Sequence, residues 1–341
     1  MNLEGQIPIF INSKNKLIKN KNPKYLLKLF IILNISYILM DIMLKIEEFN
    51  EIINDEYRQQ QNNFCKNINE YYNQEFENKI KFAKVSFNNI TYIMSVYKKN
   101  DIVSNEISRI KTWDKVGTYN LLNGLNFYSQ KKNLINKDIY IIDIGGNIGW
   151  FTFLLGKFGY NIITFEPSRI NYYILKKNYC LNKEVNATLI NKGLFAENKM
   201  CNIYSKNYNI GNGRINCTEK SDIKFNNNGE IILTKLSNYI SFFKNKNLAM
   251  IKVDTEGTEG KAIESGIELI TKYHVPFIYL EFTPKDLSSY GTNPQKFLEM
   301  FIKNGYKINL LNFFEKKIYD MKYLLRKNNI NFYIVYTPFL K

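Results

Sequence analysis

The stretch Tyr140-Ile-Ile-Asp-Ile-Gly-Gly-Asn-Ile-Gly-Trp150 constrains this chain more than any other. An apolar run of the kind that fills a buried strand ends on an acid, Asp143. Gly145, Gly146, Asn147 and Gly149 then lead into a helix expected over 151–158. Glycines at a strand–helix junction let the backbone turn tightly and approach a ligand with no Cβ in the way. The acid selects among ligands. A dinucleotide pyrophosphate is anionic and seeks bare N–H groups, so Asp143 would repel it. S-adenosylmethionine (SAM) carries an amino group, a sulfonium and a carboxylate, and uses both the acid and the turn. The spacing Asp-x-Gly-Gly-Asn-x-Gly therefore reads as a SAM loop. An NAD(P)-dependent dehydrogenase is the rival reading of such a turn.

Three further strands repeat the pattern of apolar run, acid and break. Asn161-Ile-Ile-Thr-Phe-Glu166-Pro167 ends 23 residues after Asp143, where a βαβ unit places an acid beside the ribose hydroxyls of a bound nucleoside. Leu248-Ala-Met-Ile-Lys-Val-Asp254 leads into Thr255-Glu256-Gly257-Thr258-Glu259-Gly260, and Val275-Pro-Phe-Ile-Tyr-Leu-Glu281 follows. In open α/β sheets the carboxyl edge of the strands is the ligand edge. Four acids on one edge point to a site. Asp143, Gly145, Gly146, Asn147, Gly149 and Glu166 are the expected SAM-binding residues.

Together, Asp143-Ile-Gly-Gly-Asn-Ile-Gly149, Phe165-Glu-Pro167, Ile251-Lys-Val-Asp-Thr-Glu-Gly-Thr-Glu259 and Leu280-Glu281 resemble the FkbM family of SAM-dependent methyltransferases. The likeness runs from about Val103 to Tyr336, and its specific part is Lys-x-Asp-x-Glu-Gly-x-Glu. Asp101-Ile-Val-Ser104 and Trp113-Asp114 look like the family's lead-in to the first core strand. Gly146 stands where the family has Ala, and Thr234-Lys-Leu-Ser237 where it often has Thr-x-Leu-Asp. The resemblance implies a class I methyltransferase fold, α/β and doubly wound, with a mostly parallel, Rossmann-like seven-stranded sheet. It implies O-methylation of a hydroxyl on a sugar, glycan or secondary metabolite. A catalytically inactive, membrane-tethered scaffold of the same fold is the reading from a different class.

The formal charge of +16 suggests nucleic acid, yet only five of the 47 basic residues are Arg, the side chain that reads and stacks on bases. A small-molecule or glycan hydroxyl acceptor is expected instead, with no nucleic-acid partner. Cys65, Cys180, Cys201 and Cys217 show no CxxC spacing and have no His neighbours, which gives no zinc site. Cys201 and Cys217 flank one segment and either pair in an oxidising compartment or stay reduced.

The amino-terminal region is organised differently. A basic tail (1–24) precedes an apolar helix (25–44), then a polar, acid-leaning stalk (45–81) and the methyltransferase domain (82–341). Positive flank, apolar segment and acidic flank is the layout of a single-pass signal anchor, which would put the domain in the secretory pathway. The segment reaches spanning length only by including Lys28, Asn34 and Asp41, so the alternative is a helix packed on a cytoplasmic protein. Within the domain, Phe82–Tyr97 reads as a hairpin, Asn105–Tyr128 as helical cover and Ala187–Leu194 as the third core strand. Met200–Ile240 reads as an insertion of short strands, a candidate acceptor wall, with turns at Gly211-Asn-Gly213 and Asn226-Asn-Asn-Gly229. Pro294–Asn304 reads as a helix, and strands Tyr306–Leu311 and Asn331–Tyr336 complete the sheet.

Methyl transfer requires an acceptor oxygen in line with the methyl and a route for its proton. The single His, His274, precedes its strand and falls on the far edge. Asp254, Glu256 and Glu281 lie on the ligand edge and are the expected catalytic or acceptor-binding groups, with crowding and burial available to raise a base's pKa. Glu256 and Glu259, three apart on a starting helical turn, are expected to face one site unless they serve to cap that helix. Nothing in the spacing requires a metal.

Overall fold

The computed structural model describes residues 35–36, 59, 62–67, 74–217 and 226–341. Two units divide the chain, 1–53 and 54–341. In the first only Ile35 and Ser36 are described, both helical. The basic tail and nearly all of the apolar segment therefore lie outside the described residues, and with them the expected anchor. Among the described residues no helix is long and apolar enough to cross a membrane.

In the second unit the domain opens with a hairpin, β1 (Ile80–Phe87) and β2 (Ile90–Tyr97), paired antiparallel as expected. The expected helical cover is two helices, α1 (Ile102–Ile110) and α2 (Lys115–Lys132). Asp101 and Asp114 cap them, each accepting from the backbone N–H three residues on. Part of the stretch read as stalk is docked on the domain. Phe64 is buried edge-on to Tyr173, and Cys65 is disulfide-bonded to Cys180.

The core alternates strand and helix: β3 (Ile139–Ile144), α3 (Trp150–Lys157), β4 (Asn161–Phe165), α4 (Arg169–Leu181) and β5 (Ala187–Ile190). After a second sheet come β10 (Asn247–Val253), α5 (Glu259–Glu264), α6 (Ile267–Lys272), β11 (Phe277–Phe282), α7 (Pro284–Ser289) and α8 (Pro294–Lys303). Strands β12 (Tyr306–Asn309) and β13 (Ile330–Tyr336) close the sheet. Its order is β12-β13-β11-β10-β3-β4-β5. Strands β5, β4, β3, β10 and β11 are parallel, whereas β13 runs antiparallel to both β11 and β12. The expected seven-stranded, mostly parallel α/β sheet is present. Its antiparallel strand between β11 and β12 departs from the dinucleotide-binding order, which disfavours the dehydrogenase reading.

Burial explains the apolar runs. Ile141 and Ile162 belong to the core on one face, while Ile142, Ile144, Ile163 and Ile251 belong to the core on the other. A parallel strand covered on both faces cannot alternate with polar residues. His274 lies exposed before β11, at the amino edge, stacked 4.9 Å from Tyr336.

The segment read as an insertion builds a four-stranded sheet in the order β6-β9-β7-β8, from β6 (Gly193–Leu194), β7 (Lys199–Lys206), β8 (Asn209–Asn216) and β9 (Asn226–Thr234). The expected third strand is thus split. β5 stops at Ile190, where Asn191 caps the edge by donating to the Glu166 carbonyl at 2.9 Å, and β6 leaves for the second sheet. Both expected turns lie inside strands. Gly211 and Gly213 have no positive φ; they are small because a Cβ would come 2.3 Å from the Asp101 carboxylate and 2.4 Å from Ile203 respectively. Gly229 occupies a bulge in β9 at φ 100°.

Cys201 and Cys217 are paired across this sheet with a sequence separation of 16. Closing a loop of that size restricts the unfolded chain by about 3 kcal/mol. The double substitution of Cys201 and Cys217 by Ser should lower the urea unfolding free energy of the oxidised protein by about that amount. An unchanged midpoint would contradict the pairing.

Candidate active site

Strand register builds the centre of the site. In the parallel ladder Lys252 of β10 lies beside Asp143 of β3, and Asp143 beside Thr164 of β4. Alternation along β10 puts Asp254 on the same side as Lys252. The Thr152 hydroxyl donates to Asp143 Oδ2 at 2.7 Å and lies 2.9 Å from the Thr164 hydroxyl. Lys252 Nζ sits 3.3 Å from Asp143 Oδ1 and 3.9 Å from Asp254 Oδ2, and donates to the Gly145 carbonyl at 2.8 Å. Lys252 is 3% exposed and Asp143 1%. Burial alone would push the lysine ammonium down; Asp143 and Asp254 outweigh it and hold it above its ordinary value. The lysine is a fixed cation.

The glycine turn closes over that cation. Gly145 and Gly146 both donate to the Phe165 carbonyl, at 2.9 and 3.0 Å, and Asp254 donates its N–H to the Ile144 carbonyl at 3.1 Å. Gly145 has φ 78°, and a Cβ there would meet the Asp254 carbonyl at 1.8 Å. Gly149 has φ 97° and begins α3. A cleft of ≈ 300 Å³ opens at this carboxyl edge, lined in part by Gly145, Gly146, Asn147, Glu166 and Lys252. That volume is in the range of small-molecule sites. Asp143 and Gly149 lie behind the cleft wall and are not among its lining residues. Asp143 anchors the lysine, and Gly149 shapes the turn.

Glu166 projects from the tip of β4 into a cage of donors. Oε2 accepts from Asn147 N at 2.7 Å, and Oε1 accepts from Ser168 N at 2.8 Å and from the Asn171 amide at 3.4 Å. Burial pushes its carboxyl up to about 7 against those donors and Lys252. Asn147, held at φ 50°, keeps a buried Oδ1 with no partner beside the glycine turn.

On the other side of Lys252 the acids crowd. Asp254, Glu256 and Glu281 line the cleft. Glu256 is held at φ 58°, not in a helical turn. Burial, then Asp254 and Glu259, push its carboxyl up to about 7, opposed by a hydrogen bond from the Asn212 side chain and by Arg214. Burial and the charges of Asp254, Glu256 and Glu259 hold the Glu281 carboxyl well above the usual range, and it is hydrogen-bonded to Asp254. Glu281 is therefore strongly disposed to hold a proton. Glu259 does not share the site as a helical neighbour of Glu256. Its Oε1 accepts from Thr255 N at 2.7 Å, the Thr255 hydroxyl at 3.1 Å and Gly257 N at 3.1 Å, so it caps the turn. Carboxylate oxygens of Asp254, Glu259 and Glu281 lie within 4.8 Å of one another.

Several lining residues carried no role in the sequence reading: Lys252, Trp113, Asn171, Asn209 and Asn212. Lys252 was detectable, since its place two residues before Asp254 on a strand puts both on one side. Asn209 and Asn212 were hidden among the many Asn of the chain, and β8 carries them in from the second sheet.

Residues 143–308 match the family described as Methyltransferase FkbM domain, which bears out the resemblance read from the motifs. Among curated proteins there is no match. Solved structures with a similar fold include WbdD, a bifunctional kinase-methyltransferase, at 11% identity over 67% of this chain, with a TM-score of 0.40. The chain spans about 41% of the length of that structure. M. jannaschii TYW2 in complex with AdoMet is 10% identical over 75% of this chain and 84% of its own, with a TM-score of 0.31. The magnesium protoporphyrin IX methyltransferase ChlM of Synechocystis, with bound SAH, is 10% identical over 65% of this chain and 84% of its own, at 0.33.

Removing one partner of a buried ion pair leaves the other charge uncompensated, at a cost of about 3–5 kcal/mol. Lys252→Met should therefore lower unfolding stability by about that amount, and adding Asp143→Asn should restore part of it. A loss below about 1 kcal/mol in the single variant, as for a surface pair, would contradict the central role of the lysine.

Proposed function

We propose that this FkbM-type methyltransferase domain transfers a methyl group from SAM to a hydroxyl of a sugar, glycan or related small molecule. The observation that carries the reading is the division of one cleft by Lys252. Cofactor-type features lie on one side and a group of acids with raised pKa on the other. When bound, SAM supplies an already activated electrophilic methyl. The residues fit it. The unpartnered Asn147 Oδ1 and the glycine turn suit its amino-acid end, and Glu166 at the tip of β4 suits the ribose hydroxyls. Asp143 supports binding from behind, through Lys252 and the turn.

On the acceptor side Glu256 is the general base. A base titrating near 7 accepts a proton at neutral pH and is still partly ionised to do so. As the acceptor oxygen gains its methyl, its proton passes to the Glu256 carboxylate. Asp254, hydrogen-bonded to Glu281, lies 3.9 Å from the Lys252 ammonium, beside Glu256 in the same cleft. The two disulfides favour an oxidising compartment, consistent with a secretory-pathway location for the domain.

Glu166→Ala should weaken SAM binding strongly by calorimetry, and Asp143→Ala should do so with a loss of stability. Unchanged affinity in both would overturn the cofactor assignment. Turnover of SAM to S-adenosylhomocysteine, followed with a panel of hydroxylated sugars and glycans, tests the reaction itself. With the acceptor so found, the rate should rise with pH through about 7 as Glu256 ionises, and Glu256→Gln should abolish turnover while retaining SAM binding. Full turnover in Glu256→Gln would remove Glu256 as the base.

A further inference from the structure

We propose that Trp113 is the platform on which the acceptor stacks, and that the acceptor presents an uncharged pyranose ring to it. The inference rests on the reading of the cleft as a methyl-transfer site and narrows its acceptor.

Four aromatic side chains line the cleft: Trp113, Trp150, Phe151 and Phe165. The last three are buried and engaged elsewhere. Trp150 meets Phe87 edge-on and donates its indole N–H to the Thr118 hydroxyl at 3.1 Å, Phe151 meets Tyr279, and Phe165 meets Tyr239. Trp113 differs. It is half-buried, packs against the core that contains Leu121 and Tyr279, and among the described residues pairs with no other ring. An indole backed by the core and bordering a cleft is a rigid, flat surface with apolar area left to cover.

The backbone fixes which side of Lys252 this surface belongs to. Asp114, the next residue, caps α2 by accepting from Gly117 N at 3.0 Å on Oδ1, while its Oδ2 accepts from the Tyr279 hydroxyl at 2.7 Å. Gly117 leaves room for that contact, since a Cβ there would collide with both Asp114 and Tyr279. Tyr279 lies beside Lys252 in the parallel ladder, on β11, two residues before Glu281. Glu166 follows β4, three strands along the sheet from β11, or roughly 14 Å at the usual spacing. Trp113 is therefore tethered at the acid side of the cleft, away from the residue assigned to the ribose.

The polar lining narrows what can lie on the indole. Asn209 and Asn212 of β8 and Asn329 before β13 border the cleft with neutral amides, and Asp254, Glu256 and Glu281 border it with carboxyl groups. Those acids repel an anionic acceptor such as a phosphate, a sulfate ester or a uronate. The amides and carboxyls require an acceptor whose edge carries hydroxyls, because polar groups buried without partners cost affinity. A pyranose meets both demands. The C–H groups of one face cover the indole, and the hydroxyls around its edge reach the amides. A phenol would cover the indole and leave the amides unpaired.

The chain has two Trp, and Trp150 is only 2% exposed, so acrylamide quenching of the native protein reads the exposure of Trp113. Methyl β-D-galactopyranoside and methyl β-D-glucopyranoside are titrated in the presence of S-adenosylhomocysteine. At least one should lower the quenching constant by about twofold, as a ligand covered by its pocket would, whereas sorbitol and glucuronate should leave it unchanged. By calorimetry Trp113→Leu should weaken binding of that glycoside at least about tenfold and leave SAM affinity unchanged, with Trp113→Phe in between. Equal protection by sorbitol, no protection by either glycoside, or full glycoside affinity in Trp113→Leu would overturn the proposal. Protection by S-adenosylhomocysteine with none added by a glycoside would assign the indole to the cofactor and overturn it as well. SAM calorimetry on the native protein separates this outcome from the parent reading. Glycoside protection without SAM binding would remove the methyl-transfer reading and keep the sugar platform, and SAM binding without glycoside protection would do the reverse.

Discussion

The contact on which the site depends is the buried ammonium of Lys252, set between Asp143 and Asp254 with the Gly145 carbonyl on it. It is where three otherwise separate requirements meet. The sheet needs a partner for an acid buried on β3. The glycine turn needs its carbonyl held so that the Asn147 side chain can face the cleft. The acid cluster needs a positive charge nearby. A single cation on β10 meets all three because parallel register places it beside Asp143. Its cost in desolvation is offset by the paired carboxylates, the condition under which a buried charge is tolerated.

The second sheet divides the labour. The seven-stranded sheet supplies the strand tips and the turn, while β8 crosses the mouth of the cleft from a sheet with its own small core of Ile203, Ile215, Ile231 and Leu233. A wall built on a separate sheet can vary without disturbing the cofactor edge. The second sheet contributes Ile203, Asn209, Gly211, Asn212, Gly213 and Ile215 to the cleft wall.

Much of the core was legible because one-dimensional rules apply there. Strands buried on both faces read as apolar runs, and acids at their ends mark the ligand edge; Asp143, Glu166, Asp254 and Glu281 all emerged that way. Three of these four line the cleft, whereas Asp143 turned out to stand behind it. The sequence could not show this, since the same acid serves a ligand or a lysine according to what the neighbouring strand presents. The glycines of β8 were misread as turns for a related reason. Small size answers either a need for positive φ or a need for close approach, and at Gly211 and Gly213 the need is close approach. Glu259 shows the limit of helical spacing: its three-residue offset from Glu256 crosses a left-handed kink, so the two acids part. The Cys65–Cys180 bond joins residues 115 apart, a pairing that only the fold brings together.

The central claim is that a single cleft, divided by Lys252, holds SAM against the glycine turn and Glu166 with its methyl facing Glu256. A crystal structure of the S-adenosylhomocysteine complex tests it most directly. The account predicts the ribose hydroxyls on Glu166, the amino-acid end over Gly145–Asn147 and the sulfur turned toward Asp254 and Glu256. A ligand bound away from Glu166, or with its sulfur directed away from the acids, would contradict it.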